Sequence, residues 1–233
     1  MDNIKEKLQS IGDLEDLFHF GQEASFLDKD DPNILLGIEC FKECIKHDYE
    51  PFISRYFLAI IYSSIGEYEK EYELYDELIN REDLHDYNDF EPILCNVLGK
   101  MNCEGKGTDF NPEKGYGYLI RGTEVSKMID NIIGIGDCYL NGWHVEKDYS
   151  KALEKYQEAL NVSYEYPRVI TNDESSRAFA LCRIGKCFLY GYGIEKDPYK
   201  AYEYLDNAHN MGCYLTADSI EDYELAKKQM QNE

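Results

Sequence analysis

Apolar, small and polar positions recur along this chain in three in-phase copies of one pattern. The copies begin at Leu98, Ile135 and Ile184, each followed at once by a glycine (Gly99, Gly136, Gly185) and six residues later by another (Gly105, Gly142, Gly191). Two positions on stand Gly107, His144 and Gly193. A lysine then precedes a small residue (Lys114 and Gly115, Lys151 and Ala152, Lys200 and Ala201). A large apolar residue follows at plus four and a second small one at plus seven: Leu119 and Gly122, Tyr156 and Ala159, Leu205 and Ala208. Self-similarity at this period marks a stacked array in which each unit buries its apolar face against the next.

The periodicity predicts two antiparallel helices per unit. In the second unit Met128 to Leu140 carries Ile132, Ile133, Ile135, Tyr139 and Leu140 at helical spacing, and Gly136 lies on that stripe, leaving room for a close neighbour. Asn141 and Gly142 end this helix, because glycine takes the left-handed conformation without steric cost. Lys151 to Leu160 forms the second helix, with Ala152, Tyr156 and Ala159 on one face. Asn111, Asp148 and Asp197 stand at matching places before the second helices and read as N-caps, and Pro112 and Pro198 suit a first helical turn.

The step from Gly99 to Gly136 is 37 residues, but from Gly136 to Gly185 it is 49. The extra residues fall within 161–177, around Pro167 and the run from Thr171 to Ser176, and read either as a loop on the working face or as a tolerated insertion. Ser219 to Met230 reads as a polar helix that caps the stack. Upstream, Leu58, Ala59, Tyr62, Gly66, Tyr68 and Tyr75 predict a further helix pair. Gly37, Phe41 and Cys44 repeat the small, large, small spacing, with a partner helix over Leu14 to Phe26. Asn80 to Glu91 is an acidic connector between the halves.

The run Ile184, Gly185, Phe188, Gly191, Gly193, Ile194, Asp197, Lys200, Ala201 and Ala208 resembles the Sel-one-like repeat family, a branch of the tetratricopeptide superfamily. The second unit follows it except at His144, where the family favours glycine, and the first departs at Asn102 and Thr108. The resemblance implies an all-α, right-handed α-solenoid of antiparallel helix pairs. Residues 1–92 would form tetratricopeptide-like pairs. Residues 93–233 would hold three Sel-one-like repeats and a capping helix, in one continuous solenoid. First helices would line a concave groove, and transfer of tetratricopeptide positions places Tyr56, Ile60, Ser63, Asn96, Lys100, Ile133, Asp137, Cys182 and Lys186 there. Members are mostly adaptors. A cysteine-rich secreted subgroup, linked to penicillin binding and β-lactam hydrolysis, bridges a cysteine late in the second helix to one that follows a glycine; here Cys213 follows Gly212, but the helix before it ends in Ala208 and His209, without the partner.

Charge adds a second expectation. The formal net charge is −22, and residues 1–94 hold 24 acidic and 8 basic side chains. Nucleic acid and anionic membrane are disfavoured as partners, whereas a basic protein would be drawn in. Tyrosines stand among Glu67, Glu69 and Glu73 on one helix and near Asp83, Asp86 and Asp89 beyond it, an acidic surface suited to Lys- and Arg-rich protein. The same acids also serve as a solvated face.

No nucleophile, base and oxyanion arrangement, P-loop or His-Glu-x-x-His occurs, and the five histidines are scattered. Asp28, Asp30 and Glu39 imitate a calcium loop but lack its glycine turn. No catalytic residues, metal ligands or cofactor are therefore expected. Met1 to Leu17 has no uninterrupted apolar run for secretion, no stretch has membrane-span length, and the eight cysteines read as free thiols of a cytoplasmic protein. The leading expectation is a non-enzymatic interaction scaffold that binds a protein or peptide. The runner-up is an acidic inhibitor or immunity protein that masks a basic partner such as a nuclease toxin.

Overall fold

The computed structural model describes residues 2–162, 173–211 and 217–231. Among the described residues all regular structure is helical. The elements are α1 (Asp2–Ile11), α2 (Leu14–Ala24), α3 (Asn33–Lys46), α4 (Pro51–Ser64), α5 (Tyr68–Ile79), α6 (Glu91–Glu104), α7 (Pro112–Val125), α8 (Ile129–Asn141), α9 (Tyr149–Leu160), α10 (Asp173–Tyr190), α11 (Pro198–Asn210) and α12 (Ala217–Met230). They form two compact units, residues 1–88 with 104–110, and residues 89–103 with 111–233.

In the first unit α2 pairs with α3 and α4 with α5. The Asp13 carboxylate accepts from the backbone of Glu15 and Asp16, and Asp16 reaches back to the Asp13 amide, so a reciprocal box starts α2 one residue after Gly12. Gly21 lies beneath Phe41: a methyl group there would stand 2.8 Å from the ring. That is the small-against-large spacing expected around Gly37, Phe41 and Cys44. The acidic connector contains a 3₁₀ helix, Glu82–Tyr87, anchored by buried Leu84 and by Tyr87 stacked on Phe52 at 4.0 Å. Helix α1, which packs on α2 and α3, was not anticipated, because its charged residues mask a short apolar stripe.

The second unit repeats one hairpin three times, α6 with α7, α8 with α9 and α10 with α11. Each template glycine seats the large residue of its own second helix. A methyl group on Gly99 or Gly185 would meet Leu119 or Leu205 at 2.7 Å, and one on Gly136 would meet the Tyr156 ring at 2.5 Å. The turns also repeat. The amides of Asn111, Asp148 and Asp197 donate to the carbonyls of Asn102, Tyr139 and Phe188 at 2.9, 3.0 and 3.1 Å. Their side chains accept from the amides of Lys114, Lys151 and Lys200 at 3.1, 3.0 and 2.9 Å. These bonds satisfy donors that a helix start leaves open.

The cap has a pH consequence. The Lys151 amide holds the Asp148 carboxyl below the ordinary carboxylate range. A depressed carboxyl stabilises the fold above its unfolded pKa, and the gain is lost as pH falls through the folded one. Asp148→Ala is therefore expected to unfold at lower urea than the parent at neutral pH. The gap between the two midpoints should close as pH falls through the depressed Asp148 pKa. A gap that persists in acid would assign the effect to something other than the charged cap.

Helix α10 begins earlier than its template, at Asp173. The end of the inserted stretch is thus helix rather than loop, with Ser176 buried and donating to Asp130 of α8 at 2.6 Å. The remainder of the insertion, 163–172, and Cys213 lie outside the described residues. The capping helix is α12, with Ala226 in the core beside α10 and α11.

Candidate partner-binding face

The residues transferred as groove positions fall into three groups. In the first unit Tyr56, Ile60 and Ser63 lie on α4, all half-buried, at the spacing of one helix face. The Tyr56 ring meets Phe57 and Tyr75 at 5.7 and 6.1 Å, so part of it is packing. Ser63 hydrogen-bonds the carboxyl of Glu71, which is 6% exposed and has one oxygen without a partner. Burial pushes that carboxyl above the ordinary range, against the pull of Ser63 and of the Lys106 charge.

In the second unit the transfer is corrected at four positions, Asn96, Ile133, Asp137 and Cys182, which are buried. Ile133 is 3% exposed and Cys182 is 4% exposed, and both belong to the core cluster. For Ile133 the reason is that every residue from Asn131 to Cys138 is buried, so the middle of α8 has no solvent face. Asn96 is buried as well, with Nδ2 lacking a partner, while Lys100 on the next turn is half-buried.

Asp137 and Lys186 occupy the same template position in successive repeats, and each is held internally. Asp137 accepts from the Tyr156 hydroxyl at 2.7 Å and from Nε and an Nη of Arg183 at 2.8 and 3.0 Å. Burial, then the Asp137 charge, drives the Tyr156 hydroxyl far above its ordinary pKa. Burial opposes the charge on Arg183, but Asp137 outweighs it and the guanidinium is held more firmly protonated. Lys186 stands 3.5 Å from Asp222 of α12, which also accepts from Tyr190 at 2.6 Å. Sequence reading missed Arg183, Tyr190 and Asp222. Their signal, opposite charges on successive first helices, has meaning only once the stacking of α8, α10 and α12 is known.

The acidic surface also divides. Glu67 pairs with Lys70 at 2.9 Å and Asp83 with Arg81 at 2.7 Å, so both are locally neutralised. Glu69, Glu73, Asp86 and Asp89 are exposed. Elsewhere, a cleft of ≈ 290 Å³ opens between α7 and α9 over Ile132, Ile135 and Tyr139, with Glu124, Lys155 and Glu158 in its lining. Trp143 packs on the cluster of Cys103, Leu119, Ile135 and Cys138. The seven described cysteines are buried, and none is in a disulfide. Among the described residues no three His, Cys, Asp or Glu side chains gather as a metal would require, and no helix is long and apolar enough to cross a membrane.

Comparison with known proteins fits this geometry. The Sel1 repeat pattern matches residues 93–124, 132–161 and 178–213. No curated protein matches the chain in sequence. A Sel1 repeat protein from Oxalobacter formigenes aligns over 92% of this chain and 85% of its own, with 15% identity and a TM-score of 0.57. A protective antigen of uropathogenic Escherichia coli strains, displaying an SLR fold, covers 97% of this chain at 18% identity and a TM-score of 0.54. The chain spans about half of that protein, 47% of its length. YrrB, a TPR protein described as having an unusual peptide-binding site, covers 99% of this chain and 96% of its own, with 16% identity and a TM-score of 0.52. These likenesses establish an all-α solenoid fold of antiparallel helix pairs. With the same glycine seat, turn and cap built into each of three matched segments, the chain carries three Sel1 repeats between residues 93 and 213.

Proposed function

We propose that the chain is a non-catalytic, cytoplasmic scaffold that binds a protein or peptide along its first helices. The observation that carries this reading is the Sel1 repeat array itself, whose first helices α6 and α10 carry the half-buried Lys100 and Lys186 at one recurring template position. A peptide-binding site in a TPR protein of similar fold supports the same use here. Lys100, on α6, is half-buried and forms no ion pair among the described residues, which leaves it for a partner, together with the half-buried Tyr56 and Ser63 on α4. A second reading, an inhibitor that masks a basic protein, draws on the exposed Glu69, Glu73, Asp86 and Asp89.

The test is affinity capture from the native cell, followed by titration of the recovered partner against two variants. Lys100→Ala is expected to weaken binding by about tenfold if the first helices make the contact, the size of one lost charged contact at an interface. Undiminished binding rejects that reading. Glu69→Lys with Glu73→Lys should instead abolish binding by an inhibitor, and the affinity of such a complex should fall steeply with added salt.

A further inference from the structure

The Sγ atoms of Cys103 on α6 and Cys138 on α8 stand 3.8 Å apart, and both side chains are fully enclosed. The two residues belong to successive repeats and are 35 positions apart. Their registers differ: Cys138 aligns with Cys187 in the next repeat, whereas Cys103 aligns with Leu140 and Leu189. The seam between the second and third repeats therefore sets Leu140 where Cys103 stands at the first seam, and among the described residues the first seam alone carries two facing thiols. Gly115 of α7 makes room for this arrangement, since a methyl group there would lie 2.5 Å from the Cys103 sulfur.

We propose that Cys103 and Cys138 are a disulfide-forming pair that cross-links the first and second Sel1 repeats when the chain meets a small-molecule disulfide. A disulfide bond is about 2.05 Å long, so the sulfurs must close by roughly 1.8 Å for the pair to bond. One thiol, as its thiolate, attacks the small disulfide, forms a mixed disulfide and releases one oxidant thiolate. The second, after losing its proton to solvent, attacks the protein sulfur of that bond and expels the other oxidant thiolate. Two protein thiols are oxidised and one small disulfide is reduced to two thiols.

In the closed fold this exchange is held back. The hydrogen bond with Cys103, and then burial, drive the Cys138 thiol far above its ordinary pKa, so little thiolate forms. The pair stays dormant under reducing conditions and closes during folding or local opening under oxidising ones. The link restrains a 35-residue loop of the unfolded chain, and so favours the folded state.

The full chain, unfolded in urea and reduced, would be refolded by dilution into a buffer of reduced and oxidised glutathione. Alkylation and peptide mapping without reduction are expected to give one linked pair, Cys103 to Cys138, lighter by two hydrogens, with the other six of eight cysteines alkylated. The oxidised chain should melt several degrees higher than the reduced chain, a difference absent from Cys138→Ser. Links among other cysteines, glutathione capping of Cys103 or Cys138, both residues alkylated, or a wild-type melting point unchanged by oxidation would each overturn the proposal.

Discussion

Replacement of Asp137 by alanine is expected to lower the free energy of unfolding by about 3 kcal/mol, because it strands two buried partners at once. The Tyr156 hydroxyl, on a fully buried side chain, would lose its acceptor, and the Arg183 guanidinium its counter-charge. Arg183 keeps 38% of its side-chain surface in water, which trims the ion-pair share and sets the estimate at the low end for a broken buried pair. Asp137→Asn, which keeps a carbonyl oxygen for Tyr156, should cost less. In a double-mutant cycle with Tyr156→Phe the two losses should fall short of additivity, since they share a bond. Urea denaturation reads all five proteins, and a loss below about 1 kcal/mol for Asp137→Ala would mean that the network contributes no more than a surface pair.

Gly193→Ala is expected to be as damaging, at about 2–3 kcal/mol or more, for two reasons that act together. Gly193 has φ +71, where an L side chain is strained, and a methyl group on it would lie 2.4 Å from the Tyr149 carbonyl oxygen. The obstacle is backbone, so no side-chain rotation relieves it. Gly107 repeats the arrangement against the Tyr68 carbonyl, with a gap of 2.1 Å. Gly117 is the control: it lies inside α7 with no atom within 4 Å of a built methyl group, and Gly117→Ala should stabilise by about 0.5–1 kcal/mol. Thermal or urea unfolding of the two variants should move in opposite directions. If both moved the same way, the positive φ and the close carbonyl would not be what selects glycine in the turn.

The contrast with His144 marks how far the sequence can be read. It departs from glycine at the matching position yet keeps φ at 61°, with its ring 5.4 Å from Tyr116. The turn is thus dictated by the surrounding template and not by one residue. Helices α6 to α9, their caps and their glycine seats were legible because each depends on local spacing that recurs. The early start of α10 was not, since Ser176 reads as loop chemistry and becomes helical where Asp130 and the neighbouring helix bury it. Nor was the interior status of Ile133 and Cys182, because transferring groove positions assumes that a first helix keeps one wet face. In α8 neighbours on all sides remove it. Pairings such as Lys186 with Asp222 join residues far apart in the chain, and no single-strand pattern announces them.

The bond set between α8 and α10 also limits how this array could have been edited. Asp137 takes its partners from two different hairpins, Tyr156 from its own and Arg183 from the one that follows. Excising the hairpin of α10 and α11, or duplicating that of α8 and α9, would leave a carboxylate facing a helix without its guanidinium. Although the three units share one outline, they are not interchangeable bricks, and length changes are tolerated best at seams where no charge crosses.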